Sequence, residues 1–191
     1  MMQAPTPRRT FLKQALALSA APCLVPASAF GAEGRPSPSN RIVMGCIGLG
    51  GQGTGDMGGF LGFKEVQVVA VCDVMKPHRD RAKAMVDQRY GGQGCAAYND
   101  FREITRRPDI DVILCATPDH CHAWVTVAAL RRGKHVYCEK TLTNNIYEAR
   151  TVAKVAKEMG VATQMGNQGR REEGNQLTCE MVWDGAIGEV R

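Results

Sequence analysis

The sequence contains no Cys-x-x-Cys pair, and aromatic residues make up only 6% of it. The missing pair argues against a paired-thiol metal site. Outside the first 29 residues the cysteines number seven, an odd count without short paired spacings, which argues against a disulfide framework. The apolar stretch from Ala15 to Val25 is too short to span a bilayer as a stable helix. No acidic residue accompanies Arg8, Arg9 and Lys13 near the N-terminus, and these three cations supply most of the formal net charge of +5. Elsewhere the charges nearly balance, so nothing in the composition points to nucleic acid. Arg106-Arg107 and Arg131-Arg132 fall at expected helix ends, where cations suit the helix dipole, and read as solvated surface. What remains is ordinary for a soluble α/β protein: 191 residues, 44% hydrophobic and 23% charged, enough for one domain and part of a second.

The first 29 residues read as a leader. Arg8-Arg9-Thr10-Phe11-Leu12-Lys13 precedes the apolar stretch, and Ala27-Ser28-Ala29 offers small residues for a signal peptidase. The arginine pair resembles the twin-arginine export signal, which predicts a periplasmic protein folded before export; a general secretory leader is the alternative. Pro22 argues against lipid attachment at Cys23, so no membrane anchor is expected after leader removal. Residues 30 to 40, with Gly31, Gly34, Pro36 and Pro38, read as a linker. Cys46, Cys72 and Cys115 sit inside apolar strand patterns and read as small buried hydrophobes, kept reduced by folding in the cytoplasm.

Gly48-Leu49-Gly50-Gly51-Gln52-Gly53 follows the apolar run Ile42 to Ile47. A second apolar run, Val66 to Cys72, ends at Asp73. This is the layout of a dinucleotide-binding βαβ unit. Gly48 permits the turn, Gly50 and Gly51 let backbone N–H groups approach a diphosphate, and Gly53 permits close helix–sheet contact. Asp73 stands at roughly the 20-residue separation expected of a carboxylate that meets the ribose hydroxyls. That carboxylate would repel a 2′-phosphate and favours NAD, although Lys76 and Arg79 follow closely enough to admit NADP.

Further strands are expected at Cys95–Tyr98, Asp111–Ala116, Lys134–Cys138 and Val161–Met165. Helices are expected at Met75–Tyr90, Asp100–Arg106, His122–Leu130, Asn145–Met159 and Arg170–Asp184. The alternation predicts a doubly wound parallel sheet over residues 41–165, with ligand outside the carboxyl ends of its strands. Ile187–Arg191 reads as the start of a seventh strand with no partner to follow. Residues 166–191 are therefore expected to be only the beginning of a second, α+β substrate domain, and the chain alone is expected to be inactive.

With these motifs in view, the chain resembles the glucose-fructose oxidoreductase and inositol dehydrogenase family, Gfo/Idh/MocA, from about Arg41 onward. The resemblance rests on the glycine run, Cys72-Asp73, Ala116-Thr117-Pro118-Asp119-His120-Cys121-His122, Glu139-Lys140, and the later Met165-Gly166-Asn167-Gln168-Gly169, which is similar to exported bacterial members. It implies a Rossmann domain holding NAD or NADP, a sugar, inositol or related polyol as substrate, and a homo-oligomer. Thr117 and Pro118 would contact the nicotinamide ribose, and His120, Glu139, Asn167 and Gln168 would border the cofactor. Lys140 would reach the nicotinamide and the reacting hydroxyl, as proton acceptor or as orienting cation. The remaining acid/base residues of the family lie on a helix beyond this chain. Thr141 replaces the family's usual proline, which leaves the turn free to take another geometry. His122 reads as structural. A metal site from His120, Cys121, His122 and Cys138 is disfavoured, since adjacent residues cannot easily all point inward, and no metal is expected. Two other functions fit the same residues: an NAD-dependent glycosidase of the same superfamily, and a non-enzymatic dinucleotide-binding protein.

Overall fold

The structure is a computed structural model that describes residues 36–92, 94–171 and 173–189. The leader and residues 30–35 of the linker lie outside the described residues. Pro36 and Ser37 are irregular, and Pro38–Asn40 forms a 3-10 turn.

Six strands alternate with helices. In order they are β1 (Ile42–Ile47), α1 (Gly51–Leu61), β2 (Val66–Cys72), α2 (Lys76–Tyr90), β3 (Ala96–Tyr98), α3 (Phe101–Arg106), β4 (Val112–Cys115), α4 (Asp119–Leu130), β5 (His135–Glu139), α5 (Ile146–Met159) and β6 (Thr163–Gly166). A 3-10 turn (Gln168–Arg171) and α6 (Glu173–Trp183) follow. The sheet runs β3-β2-β1-β4-β5-β6 and every pairing is parallel. The order reverses between β1 and β4, so a crevice opens at the carboxyl ends of these two strands, where doubly wound sheets bind ligands.

Burial on both sheet faces explains why the strands are continuous apolar runs instead of alternating ones. On one face Met44, Cys46, Val68, Val71 and Leu114 pack with Met57 and Leu61 of α1 and Ala82 and Val86 of α2. On the other Ile47, Ala70, Ile113, Cys115 and Cys138 pack with Ile104 of α3, Ala123 and Leu130 of α4 and Val152 of α5. Burying each such aliphatic side chain stabilises the fold by about 1.5–3 kcal/mol.

Helix ends follow local chemistry. Asp100 caps α3 by accepting Arg102 N–H at 2.8 Å. Asn145 accepts Glu148 N–H at 2.9 Å while Glu148 Oε2 accepts Asn144 N–H at 2.8 Å. Gly91 and Gly160 end α2 and α5 in the left-handed conformation, φ +70° and +63°. Buried Lys134 ties the start of β5 to the preceding loops, donating to the carbonyls of Ile110 (2.6 Å) and Arg107 (2.8 Å).

Three expectations need correction. Helix α4 begins at Asp119, not His122, because Pro118 at its N-cap presets the backbone and Asp119 suits the positive helix end. The helix expected from Arg170 is a 3-10 turn followed by α6 from Glu173, and α6 buries no residue. Ile187–Glu189 is not a strand: Gly185 and Gly188 take φ of +82° and +75°, which turns the chain, and Val190 and Arg191 lie outside the described residues. Among the described residues no helix is long and apolar enough to cross a membrane.

Candidate functional site

The glycine loop occupies the reversal point of the sheet, and each glycine is there for its own reason. Gly48 has φ +82°, and a Cβ on it would lie 2.5 Å from Thr117 N and 2.6 Å from Ala116 C, so the loop lies directly on the turn after β4. A Cβ on Gly53 would overlap the Gly48 carbonyl oxygen and approach Ala116 Cβ to 2.9 Å. Gly50 and Gly51 differ, because a Cβ on either would meet nothing within 4 Å. Gly50 is the N-cap of α1 and offers no side-chain cap. The first bond of the helix is Thr54 N–H to Gly50 O, at 3.1 Å. The space beside Gly50 and Gly51 is therefore open, and the first-turn N–H groups, which have no acceptor within the helix, lie at its positive dipole end. That cradle fits the diphosphate of a dinucleotide.

Asp73, buried just past β2, holds the loop in place. Its Oδ2 accepts Leu49 N–H at 2.6 Å and its Oδ1 accepts Met75 N–H at 2.7 Å. His78 Nδ1 stands 3.6 Å from Oδ2. Each carboxylate oxygen has a second lone pair, so Asp73 can brace the loop and still accept ribose hydroxyls. The Leu49 carbonyl is fixed from the other side by Thr54 Oγ1 at 2.8 Å and Arg81 Nη2 at 3.1 Å. Neither Arg81 nor Thr54 stood out in the sequence. Lys76 pairs with Asp80, and Arg79 donates to Asp73 O at 2.6 Å and Asn99 Oδ1 at 3.0 Å. Both cations that could have met a 2′-phosphate thus have partners of their own.

The turns after β4, β5 and β6 supply the other expected residues. Thr117 and Pro118 lie between β4 and α4, with the Thr117 backbone against Gly48. His120 is exposed on the first turn of α4, and Asn167 is exposed beyond β6. Lys140 is exposed at the end of β5, its N–H donating to Gly166 O at 3.3 Å, and the Lys140–Thr141 peptide is cis. Glu139 is buried, and Gln168 Nε2 donates to its Oε1 at 2.9 Å. The space comes from Gly166, where a Cβ would overlap the Glu139 carboxylate.

Glu139 also brings in a residue that sequence reasoning missed. Asp56 of α1 accepts Gln52 Nε2 at 2.9 Å and Gln168 Nε2 at 3.2 Å, so Gln168 bridges the two carboxyl groups. Burial, and after it the charge of Glu139, holds the Asp56 carboxyl above the usual carboxylate range, and its buried Oδ2 has no partner among the described residues. The signal available in sequence was weak: Asp56 lies three residues past Gly53 on the same helix.

A second cluster lies on the opposite sheet face, and it shares His122 and Cys138 with the four residues weighed above as a metal site. Cys115 and Cys138 are register partners on β4 and β5, and His122 of α4 joins them, whereas His120 and Cys121 do not. His122 Nδ1 lies 2.6 Å from Thr141 O. The Cys138 thiol is pulled down to about 5 by hydrogen bonding from Cys115; burial opposes this and His122 assists. Burial pushes His122 down, but the Cys138 sulfur beside it and its bond to the Thr141 carbonyl outweigh this and raise the imidazole to about 9. His122 does anchor the turn after β5, as its structural reading implied, and it also faces two thiols.

Comparison with known proteins accords with this geometry. Residues 42–167 match the family model described as "Oxidoreductase family, NAD-binding Rossmann fold". An inositol 2-dehydrogenase of Salmonella typhimurium is 31% identical over 125 residues, covering 65% of this chain and 36% of that protein. An alpha-N-acetylgalactosaminidase of Shewanella oneidensis is 28% identical over 204 residues, covering 96% of this chain and 44% of that protein. The crystal structure of an NAD binding oxidoreductase from Klebsiella pneumoniae superposes with a TM-score of 0.61 at 30% identity, covering 78% of this chain and 40% of that one. The chain thus spans less than half the length of these relatives. With the match running from the first residue of β1 to the turn beyond β6, the chain belongs to the Gfo/Idh/MocA oxidoreductase family, whose Rossmann fold binds NAD.

Proposed function

We propose that this chain is the cofactor-binding part of an exported oxidoreductase that transfers a hydride between a nicotinamide cofactor and a sugar, inositol or related polyol. The observation that carries the reading is the uncapped start of α1, open at Gly50 and Gly51 and braced by Asp73, on the sheet edge from which Lys140 also emerges. The first turn of α1 would hold the diphosphate, and Asp73 the ribose nearest it. Bound there, nicotinamide supplies the hydride acceptor or donor. Lys140, being exposed and at the end of β5, would orient the substrate hydroxyl or take its proton. Thr117 and Pro118 would bound the nicotinamide ribose, with His120, Glu139, Asn167 and Gln168 around the same edge.

Asp73, together with the internal partners of Lys76 and Arg79, supports NAD over NADP. The arginine pair of the leader supports export to the periplasm after folding, in keeping with five buried free cysteines among the strands and loops. A second reading, an NAD-dependent glycosidase, is favoured by one observation: the match to the Shewanella glycosidase extends over 96% of this chain.

Titrating the full chain with NADH and NADPH, by nicotinamide fluorescence, tests the core of the proposal. Saturable NADH binding that weakens at least tenfold for NADPH is expected; absence of binding by either cofactor overturns it. Product analysis with the whole enzyme separates the two chemistries, because a glycosidase cleaves a glycoside without accumulating NADH.

A further inference from the structure

Cys115, Cys138 and His122 have no role in holding a dinucleotide, yet the fold collects them at one point. In-register neighbours on adjacent parallel strands project to the same face, and this places the two sulfurs side by side at the carboxyl ends of β4 and β5. His122 enters from the first turn of α4. The two sulfurs and a ring nitrogen all lie within 4.8 Å of one another. Exposure is 0% for Cys115 and 1% for Cys138 and His122, so water does not satisfy them.

Two details go beyond a chance meeting of buried groups. His122 Nδ1 is 2.6 Å from the Thr141 carbonyl oxygen, to which it donates, and this fixes the ring. Metal-bound histidines are commonly oriented by such a bond from the nitrogen that is not the ligand. The other nitrogen, Nε2, is buried and has no hydrogen-bond partner among the described residues. A buried polar atom left in that condition costs about 1–3 kcal/mol and calls for a partner. The sulfurs have hydroxyl neighbours: Thr117 Oγ1 lies 3.6 Å from Cys115 Sγ, and Thr126, whose own hydroxyl is buried, is one turn beyond His122 on α4.

We propose that Cys115, Cys138 and His122 form a binding site for a single thiolate-preferring cation of the zinc class. Two sulfurs and one imidazole are a donor set that suits zinc, and three protein ligands leave the fourth tetrahedral position to water or another small ligand. The cluster carries two more protons than its metal-bound form, whether they sit on sulfur or on the imidazole, and binding exchanges both for the cation and releases them to solvent. The bound ion would cross-link the end of β4, the first turn of α4 and the end of β5. It would thereby stiffen the two turns that carry Thr117 and Lys140.

The test uses the full chain, reduced and freed of metal, titrated with Co2+ as a spectroscopic stand-in and then with Zn2+. One equivalent of Co2+ is expected, with thiolate-to-metal charge transfer in the near ultraviolet and tetrahedral d–d bands in the visible, all abolished by one equivalent of Zn2+. On the unmutated protein, Zn2+ should slow alkylation of Cys115 and Cys138, mapped by mass spectrometry, relative to Cys46 and Cys95. Cys138→Ser should lose the charge-transfer band, and Cys179→Ser should keep it. Absence of stoichiometric metal binding by the reduced wild-type chain would refute the proposal, as would protection centred on Cys121 or Cys179. Because the readouts do not involve nicotinamide, failure here leaves the cofactor reading untouched, and the reverse also holds.

Discussion

Substituting alanine at two glycines of one loop should separate binding from folding. Gly50 has φ −65°, which alanine can adopt, and its new Cβ would meet nothing within 4 Å. The folding cost of Gly50→Ala is then limited to the weaker N-cap, about 0.5–1 kcal/mol. Its methyl group would nevertheless stand where the diphosphate must approach the N–H groups of α1. A Cβ on Gly53, in contrast, would overlap the Gly48 carbonyl oxygen and lie 2.9 Å from Ala116 Cβ. Backbone must move to admit it. Overpacking of that kind costs about 1–3 kcal/mol, at the upper end here because the obstacle is main chain, and alanine's helix propensity returns up to about 1 kcal/mol. A net loss of about 2 kcal/mol lowers Tm by roughly 4–8 °C in a domain of this size. Thermal unfolding without cofactor, paired with NADH titration, gives the assay. Gly50→Ala should lose about 1.4 kcal/mol or more of NADH binding, a factor of 10, with Tm within a few degrees of wild type. Gly53→Ala should lose Tm as well as binding. A Gly50→Ala chain that bound NADH like wild type would refute the placement of the diphosphate.

Three further perturbations probe the residues around that loop. Asp73→Ala strands the buried Leu49 N–H and exposes that of Met75 to water, and at about 1–3 kcal/mol for a stranded buried donor it should lower the urea midpoint of the cofactor-free chain by an amount worth about 1–3 kcal/mol. The folded-state pKa of Asp56 lies above its unfolded value, so the folded chain holds that proton more tightly and stability falls as pH rises through the folded pKa. Asp56→Asn should therefore raise Tm at pH 7 and leave it unchanged below the ordinary carboxylate pKa of about 4, which a Tm-versus-pH series checks; an equal shift at every pH would contradict the mechanism. In the whole enzyme, Lys140→Met should cut kcat by about 10²–10⁴ while NADH binding persists, as steady-state kinetics and fluorescence titration would report.

Much of the architecture was legible because a parallel sheet buried on both faces writes itself as apolar runs. Val66–Cys72 is the second strand as read, and Met75–Tyr90 and Asn145–Met159 differ from α2 and α5 by one residue at the N-terminal cap. The reading weakened where local conformation outranked composition. Asp119 precedes the apolar pattern of α4, but proline at the cap lets the helix begin before that pattern does. Ile187 looked like a strand start by residue type, and left-handed glycines on either side of it decide otherwise. The site divides in the same way. The glycine run and Asp73 are a local signature, and local signatures survive without a structure. Asp56 with Glu139, and Cys115 with Cys138, are set by packing and register between segments far apart in the chain, which a single sequence does not state.

The end of β5 shows why those two unread pairs matter to the residue that was read. Successive strand residues face opposite sides of the sheet. Tyr137 meets Phe60 of α1 edge-on, with ring centroids 5.4 Å apart, and Glu139 turns to the same side, toward Asp56 and Gln168. Cys138, between them, turns to the other side, toward Cys115 and His122. Lys140 follows at once, and the carbonyl after it, on Thr141, receives His122 Nδ1. One strand end therefore carries an acidic pair on one face and a thiol–imidazole cluster on the other, both fastened to the turn that presents the lysine. A proton gained by Asp56, or a cation taken up by the cysteines, acts on a group within two residues of Lys140. The turn that carries Lys140 is thus held from both faces of the sheet: Glu139 is buried against Gln168, and Lys140 is exposed at the carboxyl edge.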